Sequence, residues 1–322
     1  MFNHIGRSAA DPIMSLMEAY LRDENTQKVN LGIGLYYDQQ GRIPLMQAVE
    51  AAELQLLEQR RPHGYPPIEG SALFAQQVQT LLFGEAASAS ISTVQTVGGS
   101  GALKLAADFI HHYLSRHDIW VSDPTWANHW AIFEGAGLKV HTYPYFDEAN
   151  GGLRFDAMLD TLDSLPEGSV VLLHPCCHNP TGTDLSPAQW RATLEVVQRR
   201  RLLPLFDIAY QGFGDGLDED CFALREALKT DLEFFGRQFV FEKRRAVWPA
   251  AGWAFGPLRQ PGECEQRQGC VENLDPPQLF LPADSRQPDC GNAVGGCQLA
   301  PAVGKRTGRH ASTYQTDASN PG

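Results

Sequence analysis

The sequence predicts an α/β fold in which helices cover a largely parallel sheet. Short apolar segments alternate with segments of helical composition, as where Val94–Val97 is followed by a helical pattern over 102–114. Val170–Leu173 is apolar at every position, which is typical of a strand buried on both faces of a sheet. Together these observations indicate a layered domain with a buried sheet.

The other predicted elements follow the same alternation. A first helix is indicated by the helical spacing of Ile13, Leu16, Met17 and Tyr20. Further helices are predicted over 45–60, 70–83 and 187–200, and further strands at Ile119–Ser122, Lys139–Tyr143 and Leu202–Phe206.

Composition and charge narrow the possible functions. The chain has 322 residues, enough for one large domain or two smaller ones, and a formal net charge of -12. An acidic chain is a poor general partner for nucleic acid, because phosphate binding needs excess Lys and Arg. No secretory signal and no membrane-spanning run of ~20 apolar residues is expected. The prediction is a soluble cytoplasmic protein.

The cysteines do not predict a metal site. There are seven, an odd count, and no pair has the C-x-x-C spacing. A zinc site built from His174, Cys176, Cys177 and His178 was considered. It is disfavoured because neighbouring side chains of an extended segment point to opposite faces. A loop beside a ligand pocket is the preferred interpretation, and no metal is predicted.

A glycine-rich turn is a candidate phosphate loop. Gly98–Ala102 supplies glycines and a hydroxyl at the start of a predicted helix, where backbone N–H groups and the helix dipole favour an anion. It is not a P-loop, because no Lys-Ser or Lys-Thr follows at the required spacing. Lys104 stands where a dinucleotide fingerprint has glycine, so nucleotide binding is disfavoured. A purely structural turn explains this motif about equally well.

Polar and aromatic residues follow several predicted strands, at the sheet edge where α/β proteins bind ligands. Asp207 follows Leu203–Phe206, Asn179 follows Val170–Leu173, and Trp126 follows a third strand with a flat face on which a ring could stack. Asp207 alone could equally be structural. His129 could hydrogen-bond Asp207 from behind, or it could be a surface histidine on a helix.

These motifs, with the runs His174–Gly182 and Phe206–Phe213, resemble the class I aminotransferases of the aspartate and aromatic-amino-acid group. The bacterial aromatic-amino-acid aminotransferases are the most similar, and the resemblance extends from about Phe2 to about Phe235. Its strongest pieces are Val29–Tyr37, Thr96–Ala107, Trp120–His129, Val171–Thr183 and Leu205–Phe213. It implies the fold type I of pyridoxal-phosphate-dependent transferases, with a three-layer αβα large domain and a small domain built from both chain ends.

The resemblance also implies a cofactor, substrates and residue roles. The cofactor is pyridoxal 5'-phosphate, the substrates are an amino acid and a 2-oxo acid, and the enzyme is a homodimer. The implied roles are phosphate binding by Gly99 and Ser100, ring stacking by Trp126, contact with the phenolic oxygen by Asn179 and Tyr210, and pairing of Asp207, backed by His129, with the ring nitrogen. Tyr65 would reach the phosphate of the neighbouring subunit, and Gly34 would lie against the substrate carboxylate.

The catalytic lysine of this family has no clear counterpart. The family carries it in the motif S-F-S-K-N, about thirty residues after the position of Asp207, and follows it with L-Y-G-x-R-x-G-G. This chain has Phe239–Pro249 there, in which Lys243 has different neighbours. No catalytic residue is therefore assigned, and Lys243 is kept only as a possible substitute.

The genetic code suggests a cause. Within Gly236–Leu258, codons whose reading frame is shifted by one base can encode V-A-S-S-F-S-K-N-V-G-L-Y-G-Q-R-L-G-G-L. The same shift over 273–284 permits T-S-I-R-R-N-Y-S-S-P-P-T, which is also typical of the family. We hypothesise a frameshift near residues 235–236 that has replaced the last third of an aminotransferase.

The hypothesis gives a predicted domain organisation. Residues 1–40 would form an N-terminal arm and part of a truncated small domain, 41–235 an incomplete cofactor-binding large domain, and 236–322 an out-of-frame, disordered tail. Exposed strand edges and apolar faces would make the chain poorly soluble. Two functions stay open: transamination by descent, lost in this chain with its lysine, and a non-catalytic remnant that binds the cofactor weakly or not at all.

Overall fold

The computed structural model describes residues 12–29, 37–60, 64–84, 91–239 and 250–255. These residues fall into two compact units, one formed by residues up to Leu45 and one by residues from Met46 onward. The first unit contains helix α1, Pro12–Arg22, and the segment after it. There the ammonium group of Lys28 donates to the carbonyl of Tyr20 at 2.5 Å and lies 4.4 Å from the centre of its ring.

The second unit is built on a seven-stranded sheet in the order β1-β9-β8-β7-β6-β2-β3. Neighbouring strands from β8 to β3 are parallel, whereas β9 runs antiparallel to both β8 and β1. The strands of this sheet are β1 Gln95–Val97, β2 Asp118–Asp123, β3 Lys139–Pro144, β6 Val170–Leu173, β7 Leu203–Ile208, β8 Phe235–Phe239 and β9 Ala250–Phe255; β4 Phe146–Asp147 and β5 Gly152–Leu153 form a separate hairpin.

Helices connect the strands and cover the sheet. Their bounds are α2 Gln47–Gln59, α3 Ala72–Phe83, α4 Gly98–Tyr113, α5 Asn128–Gly135, α6 Phe155–Ser164, α7 Pro187–Arg199 and α8 Phe222–Leu228. Among the residues that the structure describes, no helix has both the length and the apolar character to cross a membrane.

The central strands are apolar because both of their faces are covered. All four residues of β6 are at most 1% exposed. On β7, Leu205 and Phe206 point to opposite faces and belong to two separate core clusters. Phe206 packs with Phe74 and Trp190, and Leu205 lies in the cluster of Ile110 and Phe133. The predicted α/β fold with a parallel central sheet is confirmed.

Three differences from the predicted elements affect the site. Helix α4 begins at Gly98 and not at 102, so the candidate phosphate loop is the first turn of the helix. Strand β7 continues to Ile208, so Asp207 lies within the strand and not beyond it. Strand β9 and all but the first residue of strand β8 lie in the segment 236–322, for which the sequence predicts disorder. The rest of that segment, 240–249 and 256–322, lies outside the described residues.

Candidate cofactor site

The candidate site lies at the carboxyl edge of the parallel strands β2, β6 and β7. Because these strands are neighbours and run in the same direction, the segments that follow them meet at one edge of the sheet. Asp207, the second-last residue of β7, is 2% exposed there. A carboxylate this deeply buried needs hydrogen bonds and opposite charge to stay ionised.

His129 provides one partner of Asp207. Its Nε2 lies 2.9 Å from Oδ2 of Asp207, and its Nδ1 lies 2.8 Å from the hydroxyl of Thr125. A carboxylate can only accept when ionised, so Nε2 carries the hydrogen. His129 is fully buried, with its ring 5.7 Å from that of Phe133 and the indole of Trp126 perpendicular at 5.3 Å. The hydrogen bond expected from the sequence is present, and the alternative of a surface histidine is wrong.

Arg237 provides the second partner and was not anticipated. It lies on β8 directly beside Asp207 in the parallel register, and its Nη1 donates to Oδ1 of Asp207. Burial alone would raise the pKa of Asp207. The Arg237 guanidinium and the bond from His129 outweigh burial and hold that pKa well below its usual range. Asp207 is therefore a buried, ionised carboxylate with a positive charge on one side and a histidine on the other.

Gly99 brings the helix α4 turn against the same arginine. A Cβ at position 99 would overlap the guanidinium of Arg237, so only glycine permits this close approach. Ser100, the next residue, is exposed at the first turn of the helix. The glycine turn and Asp207 thus lie on two sides of one side chain.

Two further buried histidines stand behind the site. The ring of His174 is 5.4 Å from that of His129 and 4.5 Å from that of His178. Burial, reinforced by the neighbouring His178, lowers the pKa of His174 well below its ordinary value. Burial likewise lowers the pKa of His178 to about 4. Both rings are therefore neutral at pH 7, so they add no positive charge beside the ionised Asp207.

Hydroxyl groups hold the ring of His178 in place. Its Nε2 lies 2.8 Å from the hydroxyl of Ser122 and its Nδ1 lies 2.9 Å from that of Thr181, while Tyr145 stacks on the ring at 3.9 Å. A neutral imidazole has one donor and one acceptor nitrogen, and either hydroxyl can fill either role. Ser122 ends the buried part of β2, so this bond ties β2 to the loop after β6.

Asp184 shapes the loop that carries Asn179. Its two carboxylate oxygens accept from the backbone N–H groups of Cys177 at 2.6 Å and His178 at 2.8 Å. Cys177 has a φ of 48°, a left-handed conformation that these bonds help to hold. Its thiol lies 3.8 Å from the carbonyl of Tyr210, a contact that joins the loops after β6 and β7. Asn179 therefore follows a firmly held turn.

The predicted site residues are brought together only in part. Trp126, His129 and Asp207 form one contiguous group, and Gly99 reaches it through Arg237. Asn179 and Tyr210 are half-buried on the loops after β6 and β7, at the same sheet edge. Tyr65 is completely exposed. Gly34 and Lys243 lie outside the described residues.

The zinc set considered from the sequence is not the one that the fold assembles. In the described part of the chain, one group within 4.8 Å consists of His129, His174 and Asp207. The guanidinium bonded to Asp207 places a permanent positive charge where a metal ion would bind, which opposes a cation there. A second such group, Cys176, Cys177 and Asp220, has its carboxylate engaged by the backbone N–H groups of Gly212, Gly214, Asp215 and Gly216.

The sequence did not indicate a role for Arg237 or Asp184, and it did not indicate that His174 would lie beside His129. Arg237 lies in the segment that the frameshift hypothesis treats as out of frame, where no family role is expected. His174 and Asp184 act through contacts that depend on how the loop after β6 folds. No local signal was available for Asp184, because an Asp side chain commonly accepts from residues that follow it, whereas Asp184 accepts from residues six and seven positions before it.

Comparison with known proteins points to one family. Residues 26–236 match the family model "Aminotransferase class I and II". The chain is 53% identical to a tyrosine aminotransferase of Klebsiella pneumoniae over 232 residues, which are 70% of this chain and 58% of that protein. It is 51% identical over 239 residues, 72% of this chain and 60% of the other, to an aromatic-amino-acid aminotransferase of Escherichia coli. An aspartate aminotransferase of Pseudomonas aeruginosa is 46% identical over 239 residues, 73% of this chain and 60% of that protein.

Solved structures agree with the sequence relatives. An aromatic amino acid aminotransferase from Burkholderia cenocepacia matches with a TM-score of 0.89 and 40% identity, over 97% of this chain and 79% of that one. One from Burkholderia pseudomallei, described as covalently bound to pyridoxal phosphate, gives 0.89 and 35% over the same shares. The chain nevertheless spans only about three fifths of the length of its curated relatives, 58% and 60% for the first two.

Proposed function

The chain belongs to the class I and II aminotransferases, and on this premise we propose that the Asp207 group is the inherited cofactor site of an aromatic-amino-acid transaminase. Enzymes of this family use pyridoxal phosphate to move an amino group from an amino acid to a 2-oxo acid. The observation that carries the proposal is the buried, ionised Asp207 with His129 on its Oδ2, at the sheet edge where α/β proteins bind ligands.

Each residue of the group has a part suited to a phosphorylated pyridine. Asp207 would hold the protonated ring nitrogen, which keeps the ring an electron sink when the cofactor is bound. His129 orients that carboxylate, and Trp126 packs edge-on against His129 with its indole half-buried at the same edge. Asn179 and Tyr210 would donate to the phenolic oxygen. Gly99 and Ser100 offer backbone N–H groups at a helix start for the phosphate.

The remaining roles concern a second subunit and the substrate. We propose that the chain descends from a homodimer in which Tyr65 reaches the neighbour's phosphate; its complete exposure is compatible with that role. Aromatic substrates are favoured over dicarboxylic ones because two aromatic relatives, at 53% and 51%, exceed the aspartate relative at 46%.

We propose further that the chain in its present form does not catalyse transamination. Among the described residues, the lysine closest along the chain to Gly99 is Lys104, whose ammonium is held by Asp108 at 2.6 Å. The position at which the shifted frame can read lysine is Glu242, and a carboxylate cannot form the Schiff base that the chemistry requires. Without that amine, the cofactor has no covalent tether and the proton transfer has no base.

A second candidate function is a non-catalytic chain that does not retain the cofactor. The ion pair between Arg237 and Asp207 favours it, because the carboxylate needed by the ring nitrogen already has a partner.

The test compares the 322-residue chain with a frame-corrected chain, in which the gene is read one base on from codon 236. We expect the corrected chain to show the visible absorbance of a lysine-bound cofactor, removed by borohydride, and to transfer the amino group of phenylalanine faster than that of aspartate. The uncorrected chain should show neither. The matched control is the corrected chain with alanine in place of the lysine at position 242.

Two results would contradict the proposal. One is amino transfer by the uncorrected chain at a rate close to that of the corrected one. The other is a corrected chain that folds, by circular dichroism and size-exclusion chromatography, but neither holds the cofactor nor reacts. The coding DNA around codon 236 decides the frameshift independently of both.

A further inference from the structure

Arg237 is a buried cation within the site, and its position follows from the strand pairing. Strand β8 pairs in parallel with β7, with Arg237 directly opposite Asp207. Residues directly paired on neighbouring strands point to the same face of the sheet, so the two side chains meet. The side chain of Arg237 is 6% exposed and that of Asp207 is 3% exposed.

The guanidinium touches both ends of the proposed cofactor site. Its Nη1 donates to Oδ1 of Asp207, the carboxylate assigned to the ring nitrogen. Its Nη2 lies in the space that a Cβ at Gly99, the residue assigned to the phosphate, would occupy. His129 occupies the other oxygen of Asp207. The carboxylate is thus bonded at both oxygens by groups of the chain itself.

The chemistry of the two cations makes them competitors. A guanidinium is always protonated in proteins and presents N–H donors in a plane to a carboxylate. A protonated pyridine ring presents one N–H donor, with one positive charge, to the same oxygen. Only one of them can lie against Oδ1 of Asp207, and Arg237 is held there by the chain.

We infer that Arg237 is an internal substitute for the cofactor ring, which closes the site and stops the present chain from holding pyridoxal phosphate. The inference rests on the proposed function of the Asp207 group. It adds a second block that is separate from the missing lysine, since the arginine opposes even noncovalent binding. The shifted reading frame permits alanine at position 237, a residue too small to reach Asp207.

The test uses pyridoxamine phosphate, because this form of the cofactor has the ring and the phosphate but cannot react with a surface lysine. Its binding to the full 322-residue chain and to R237A is measured by equilibrium dialysis. We expect R237A to bind it at least about tenfold more tightly than the unaltered chain, since the carboxylate and the space beside Gly99 become free. Arg225→Ala is the matched control: that arginine is partly buried and pairs with Asp218, away from the site.

Thermal unfolding with millimolar methylguanidinium forms the second arm. R237A leaves Asp207 as a buried charge without its cation, and the small guanidinium should refill the gap and raise the melting temperature of R237A alone. R237M/D207L is used if R237A does not fold, because it removes both charges. It should fold, bind no pyridoxamine phosphate and show no methylguanidinium effect.

The outcomes separate the inference from the function on which it rests. Tighter pyridoxamine phosphate binding by R237A supports both. Stabilisation of R237A by methylguanidinium without any pyridoxamine phosphate binding supports the placement of Arg237 but overturns the cofactor role of Asp207. Neither effect in a folded R237A, binding by the unaltered chain as tight as by R237A, or measurable binding by R237M/D207L overturns the inference.

Discussion

Strands β7 and β8 lie side by side in the sheet, but β7 buries mainly apolar side chains and β8 buries two adjacent polar ones. In β7, Leu205, Phe206 and Ile208 fill the two cores, and its one charged residue faces the site. In β8, two adjacent buried residues, Arg237 and Gln238, are polar. Arg237 is neutralised by Asp207, and Gln238 donates to Gln211 at 2.9 Å while its own Oε1 has no hydrogen-bond partner among the described residues.

The difference shows that backbone pairing in a sheet is largely independent of the side chains, whereas burial of the strand is not. Backbone N–H and C=O groups pair whatever the residue, so a strand of almost any composition can extend a parallel sheet. The side chains must then be matched separately, and buried polar groups are costly when they are not. Strand β7 meets both conditions. Strand β8 meets the first, and it meets the second largely by taking the carboxylate of the site.

The largest expected effect comes from breaking the bond between the two strands. Asp207→Asn removes the charge that neutralises Arg237 and should lower the free energy of unfolding by about 3–5 kcal/mol, as for other broken buried pairs. The loss is measured by urea denaturation of the full chain. The control is Asp218→Asn, which removes the 78% exposed partner of Arg225 and should cost at most about 1 kcal/mol.

A double change sharpens the same point. In D207L/R237M both charges are replaced by apolar groups, and most of the loss seen in Asp207→Asn should be recovered. If Asp207→Asn costs no more than Asp218→Asn, the pair does not join the strands as the structure shows. If the double variant stays as unstable as Asp207→Asn, the loss has another origin.

The sequence anticipates β7 and the edge where it ends because both depend on local patterns. Continuous apolar runs identify β6 and β7, and the parallel arrangement places Asp207, Asn179 and Trp126 at one edge. For His129 the sequence leaves two possibilities, a hydrogen bond to Asp207 and a surface position, and the structure shows the bond. These inferences need no knowledge of distant pairing beyond strand order.

The same reasoning could not find Arg237. Its role depends on the register between β7 and β8, which no local pattern sets, and a polar residue in mid-strand argues against a buried strand. The helix α5 that carries His129 was likewise not predicted, because its eight residues are too few for a clear apolar period. The position of Arg237 is therefore set by strand pairing between distant parts of the chain, which local composition does not predict.

Lowering the pH should destabilise the loop after β6 and the Asp207–Arg237 pair in different pH ranges, because their titrating groups differ. His178, in the loop after β6, has a pKa of about 4 when folded and an ordinary value of 6.5. The unfolded chain therefore binds the additional proton first, and stability falls as pH drops below about 6.5 and levels off near 4. From pH 7 to 5 this histidine alone should cost about 2 kcal/mol, with a further loss from His174, whose pKa is also lowered by burial.

The measurement is urea denaturation of the unaltered chain, H178Q and H141Q at pH 7 and pH 5. H178Q should lose about 2 kcal/mol less than the unaltered chain over this interval, and H141Q, a change at a half-buried histidine of β3 that pairs with the exposed Asp118, should lose as much. The Asp207–Arg237 pair should not contribute in this range. The pKa of Asp207 is lowered, so its contribution is complete above about pH 4 and is lost only at more acid pH. Equal pH dependence in all three proteins would remove His178 as the source.

The smallest expected effect comes from weakening the start of helix α7, which connects β6 to β7. Helix α7 joins β6 to β7, and its first turn is closed by Ser186, whose hydroxyl accepts from the backbone of Gln189 while the Gln189 side chain accepts from the backbone of Ser186 at 2.9 Å. Ser186→Ala should cost about 1 kcal/mol in urea denaturation. Ser164→Ala, at the exposed end of α6, should change stability by less than about 0.5 kcal/mol.

Because apolar packing holds β7 on both faces, the loss of the Ser186 cap should stay local and leave pyridoxamine phosphate binding by R237A unchanged. A Ser186→Ala change that also weakened this binding would mean that the position of β7 depends on the α7 cap and not on apolar packing, and the contrast between the two strands would fail.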